Sequence, residues 1–106
     1  MKNGYIENES TQQTLKRAFG NIAGCLDLWS HTDVKKVTRV QELSRAQEII
    51  QILLSSIRAS EDDPFNIAIT RILLKTSRDI RLALTGTQKD FSEHVHSFRW
   101  MSENMI

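Results

Sequence analysis

The sequence predicts an all-α fold, an antiparallel up-and-down four-helix bundle with a mobile N-terminal arm. Three observations point to it. Apolar residues recur at steps of three and four along most of the chain, the period of an amphipathic helix. No stretch shows the convincing alternation of a half-buried strand. Breaks at SHTD (30–33), at ASEDDP (59–64) and around Gly86 divide the periodic chain into four pieces, and short connections make sequential helices antiparallel neighbours.

Residues 1–9, MKNGYIENE, are polar and contain Gly4, so they read as a flexible arm, with Tyr5 and Ile6 as its apolar exceptions. Residues 10–106 then form a single helical domain. Its first helix opens on Ser10 and Gln13, a capping-box pair. Leu15, Ala18, Phe19, Ile22, Cys25, Leu26 and Trp29 continue as the apolar stripe. Gly20 and Gly24 each cost roughly 1 kcal/mol of helix propensity relative to alanine. They mark either close approach by a neighbour or tolerated exposed glycine.

In SHTD, Ser30 or Thr32 can cap a second helix running to about Arg58, with Asp33 near its positive end. Its stripe is Val34, Val37, Val40, Leu43, Ala46, Ile49, Ile50, Leu53, Leu54 and Ile57, which widens toward the C-terminal end. Such a surplus suits a helix that touches two neighbours, or one wall of an open groove.

Asp63 and Pro64 form an N-cap and first-turn pair for a third helix. Phe65, Ala68, Ile69, Ile72, Leu73, Thr76, Ile80 and Ala83 give its core face, Arg78 and Arg81 suit its negative end, and Gly86 stops it. Thr87 and Asp90 can cap a fourth helix carrying Phe91, Val95, Phe98 and Met105.

Bulk properties narrow the function classes. A chain of 106 residues supports one core. A formal net charge of +1 gives no bias toward nucleic acid, anionic membrane or acidic substrate. Cys25 is the sole cysteine, which excludes an internal disulfide and fits a reducing cytoplasm. No signal-peptide core and no apolar run of membrane-spanning length is present, so membrane insertion is not expected.

Catalytic, cofactor and metal sites are likewise not expected. There is no phosphate-binding glycine loop and no recognisable serine-histidine-acid set. Glu61, Asp62 and Asp63 read as favourable charge at a helix start. His94 and His96 are two apart, which on a helix points them in different directions, so a shared metal is not expected. Cys25 sits on an apolar stripe, as a small core residue does. Arg71, Lys75 and Arg78 form a basic ridge without the aromatic or turn pattern of a nucleic-acid reader. Trp29 and Trp100 suit either packed helix ends or an interface.

RAQEIIQILLSSI at 45–57 resembles the second-helix run of FliS-type flagellin export chaperones. Upstream, Ser10, Leu15, Ala18 and Phe19 fall at offsets matching that family's opening segment. Thr11 stands for its proline and Gly20-Asn21 for its Asp-Gly pair. RDIRLAL at 78–84 looks like the end of the family's third helix, FRW at 98–100 is similar to its closing aromatic segment, and Tyr5 resembles the tyrosine of its arm. The family's Tyr-Asp-Tyr segment is replaced by ILLK at 72–75, and the turn after the third helix is shorter.

The resemblance implies a cytoplasmic chaperone, working without cofactor or ATP. It would bind the disordered C-terminal segment of flagellin or another flagellar protein, prevent its polymerisation and pass it to the export apparatus. Such a client recovers its ordering cost by folding into apolar inter-helix grooves. The groove residues expected are Leu15, Phe19, Ile22, Leu43, Ile50, Leu53, Leu54 and Ile57, with Tyr5 and Ile6 folding over them when the client is absent. The alternative is a small regulatory or self-associating module without flagellin binding, in which the same stripe seals a homodimer and the basic ridge of the third helix meets an acidic partner.

Overall fold

A computed structural model describes the backbone of residues 2–57 and 64–104, and the side chains of residues 13–57, 64 and 66–104. Four helices account for most of it: α1 (Lys2–Leu28), α2 (Lys36–Ile57), α3 (Pro64–Leu84) and α4 (Ser92–Asn104). There is no strand among the described residues. They form the antiparallel up-and-down bundle expected, in which α1 packs against α2 and α4, and α2 against α3. The molecule measures 49 × 23 × 19 Å.

The core is built from the stripes the periodicity marks out. Phe19, Ile22, Leu26, Leu43, Ala46, Ile50, Leu73, Ile80 and Phe98 are fully or almost fully buried. Phe19 and Phe98 lock α1 to α4 with ring centroids 5.8 Å apart and tilted by 42°, a favoured aromatic geometry.

Several local expectations are corrected. Helix α1 begins at Lys2 rather than Ser10, so the backbone of the segment read as an arm is helical. Ser10 therefore lies within the helix and opens nothing. Ser30 does not cap α2: its hydroxyl donates back to Asp27 O at 3.0 Å and closes α1. Helix α2 starts after Lys35, whose carbonyl accepts the Arg39 N–H. Val37 and Ala68, both placed on core stripes by spacing, are exposed. Asp63 and Met105 lie outside the described residues, as does the Phe65 side chain.

Other boundaries fall where the residues put them. Pro64 is the first residue of α3. Gly86 has φ of 105°, Thr87 N–H donates to Leu82 O and Gly86 N–H to Ala83 O. That bond pair is the Schellman closure, which satisfies carbonyls left over at a helix end. Asp90 Oδ1 accepts from both Ser92 N–H and Ser92 Oγ–H, so Asp90 opens α4. Those two bonds hold its carboxyl below the ordinary aspartate range.

Candidate functional site

Most of the expected groove residues are core. Phe19, Ile22, Leu43 and Ile50 have no exposed surface, and Leu53 and Ile57 retain less than a tenth of theirs. Buried to that degree, these six hold the helices together and wall no open groove. Leu15 and Leu54 are different: both are partly buried and pack on the edge of the core, where an added helix would still gain contact. The side chains of Tyr5 and Ile6 lie outside the described residues.

Helix lengths explain why the edge stays open at Leu15. Helix α1 has 27 residues and α4 has 13, so at 1.5 Å per residue α1 runs for about 40 Å and α4 for about 20 Å. Near the end of α4, Ser102 Oγ donates to Lys16 O at 2.8 Å, and Arg99 meets Asp27 toward the other end of the contact. Helix α4 therefore covers the C-terminal half of α1, and Leu15 lies one residue beyond the Ser102 bond to Lys16 O.

Gly20 is the reason α4 can sit so close. A methyl group there would stand 3.1 Å from Ser102 Oγ, whereas at Gly24 it would meet nothing within 4 Å. Of the two readings offered by that glycine pair, Gly20 is a close approach and Gly24 a tolerated exposed residue.

Two polar clasps tie α3 to its neighbours. Gln47 Nε2 donates to Ser77 O and Gln51 Nε2 to Ser77 Oγ, at 3.3 and 3.2 Å. Both glutamines belong to the RAQEIIQ run on α2. On the other flank, His94 of α4 stands between Asp79 Oδ2 at 2.8 Å and Thr76 Oγ1 at 3.1 Å. Burial alone would push the Asp79 carboxyl up. The hydrogen bond with His94 and the charges of Lys89, His94 and Lys75 outweigh it and hold the carboxyl below its ordinary value of 3.8.

Thr76, His94 and Asp79 have the order of a hydroxyl-imidazole-carboxylate set. Thr76 is fully buried, and its hydroxyl already donates to Ile72 O at 2.8 Å, so the set acts as a clamp between α3 and α4. The sequence spacing of His94 and His96 could not show this, because the partners lie 15 and 18 residues away.

Cys25 is buried, and its thiol faces Glu42 Oε1 at 3.6 Å. Burial, reinforced by the Glu42 charge and hydrogen bond, pushes the thiol up to about 11. It stays protonated near neutrality and is a poor nucleophile.

At one end of the bundle a cleft of about 720 Å³ opens between the α1–α2 corner and the α3–α4 loop. Trp29 anchors the corner: the Arg39 guanidinium lies 5.7 Å from its ring centre and donates to Trp29 O and Val34 O. Lys89, also lining the cleft, is 3.7 Å from Asp79. Arg39 and Lys89 are thus engaged by the fold, and Lys36, the third cation lining the cleft, is exposed. Trp100, by contrast, is 59% exposed.

No protein-family model, curated protein or solved structure matches the chain. Among the described residues no group of three or more His, Cys, Asp or Glu side chains is placed to hold a metal ion, and no helix is long and apolar enough to cross a membrane.

Proposed function

We propose that this chain is a helical export chaperone of the FliS type, which takes the disordered C-terminal segment of flagellin, or a related flagellar client, as an added helix. The observation that supports this reading most is the inequality of the helices. Helix α4 reaches along α1 only to the neighbourhood of Lys16, and Leu15, beside that point, is left partly buried. A client helix laid there would extend the bundle and bury it.

The placement of the resembling segments agrees. RAQEIIQILLSSI lies in α2, RDIRLAL ends α3, and FRW lies in α4. The site is narrower than the sequence alone suggests: its client contacts are Leu15 and Leu54, while the other six residues shape the surface from beneath.

Titration of the full chain with a flagellin C-terminal peptide from the same organism, followed by calorimetry and circular dichroism, tests the proposal. One-to-one binding with a gain of helix is expected. Absence of heat and of helix gain at high micromolar peptide would overturn it.

A further inference from the structure

The outer ridge of α3 carries a second pattern that neither the core nor the client position uses. Ile67, Arg71, Leu74, Arg78 and Arg81 are all exposed, with Ile67 at 44% and Leu74 at 53%. Their spacing is four, three, four and three. At 3.6 residues per turn they fall within an arc of about 80°, which is the repeat of a coiled-coil seam. Ser77 bonds α2 on one flank of the helix and Asp79 bonds α4 on the other; the seam lies between these flanks, opposite the buried Ile69, Leu73, Thr76 and Ile80.

Charge is concentrated there. Helix α3 holds four of the chain's 14 basic residues and one of its 13 acidic residues. That acid, Asp79, is engaged by His94 and Lys89. Arg71, Arg78 and Arg81 have no ion-pair partner among the described residues.

The geometry points to this ridge as a docking seam for an acidic amphipathic helix of another protein. Such a helix lays aliphatic side chains against Ile67 and Leu74 and carboxylates against Arg71, Arg78 and Arg81. The seam selects this occupant over others. A second copy of the chain would set the same arginines against one another in either orientation, and like charges facing across an interface oppose association. A nucleic-acid backbone would gain nothing from Ile67 and Leu74, which take alternate places along the cations. A bilayer requires a broad apolar face, and two separated aliphatic side chains do not make one.

The probe is a synthetic helix of three heptads with leucine and glutamate alternating along its three-four seam. It is titrated into the full chain by fluorescence anisotropy. Controls are the same peptide with lysine for glutamate, and vesicles of phosphatidylserine and phosphatidylcholine. The acidic peptide should bind one-to-one and more weakly at high salt. Reversing two of the facing charges in the Arg71→Glu/Arg78→Glu variant should weaken it by roughly tenfold or more, while Arg45→Glu on α2 should leave it unchanged. All positions are exposed, and unchanged thermal unfolding of both variants shows that the fold is intact. Failure of the acidic peptide to bind, equal binding of the lysine peptide, indifference to the double substitution, or binding to vesicles alone would each overturn the proposal.

Discussion

At the scale of single residues, environment separates side chains that the sequence presents as equals. Gly20 and Gly24 are one turn apart on α1, yet only Gly20 has a neighbour where a methyl group would go. Replacing Gly24 by alanine should therefore stabilise the protein by about 0.5–1 kcal/mol through helix propensity alone. Gly20→Ala should gain less or lose, because Ser102 must shift from its bond to Lys16 O. Thermal unfolding of the two variants measures the difference, and equal gains would contradict the close contact. Cys25 shows the same dependence on surroundings. With its thiol buried and pushed up to about 11, native protein at neutral pH should react with a thiol reagent far more slowly than unfolded protein, as colorimetric titration with and without denaturant would show.

At the scale of elements, helix ends were legible wherever a local residue decides them. Pro64 opens α3, and Gly86, with its positive φ, closes it. Boundaries set by competition were not legible. Ser30 can serve either α2 or α1, and its hydroxyl reaches Asp27 O first; Ser10 carries a capping signature inside a helix that continues through it. Contacts between elements were the least visible, since periodicity shows which face is apolar but not which polar groups meet. The His94 clamp on α3 is such a contact, and it has a pH signature. The folded-state pKa of Asp79 lies below the unfolded value, so this carboxylate contributes stability above the ordinary aspartate range and loses it as pH falls through the folded pKa. The gap in unfolding temperature between wild type and Asp79→Asn should be full near neutral pH and shrink at acid pH. A gap that widened on acidification would show that the sign is wrong.

At the scale of the whole molecule, the architecture was legible because four amphipathic stripes joined by short turns leave little else to form. What remained hidden was the division of the apolar stripe between core and surface. That division depends on helix lengths and neighbours: α2 is flanked by α1 and α3, and its Leu43 is fully buried, whereas its Leu54 sits at the core edge. Aspartate at the two positions should therefore have opposite consequences. At Leu43 it places a charge in the interior without a partner, a cost comparable with the roughly 5–15 kcal/mol that hold a domain of this size together, so Leu43→Asp should unfold. At Leu54 the carboxylate can reach water, and the loss should be nearer 1–2 kcal/mol, leaving a cooperative unfolding transition. If the client helix lies along this edge, Leu54→Asp should keep that transition and lose flagellin-peptide binding. A folded Leu54→Asp variant that binds the peptide as wild type does would move the client away from the edge while leaving the bundle as described.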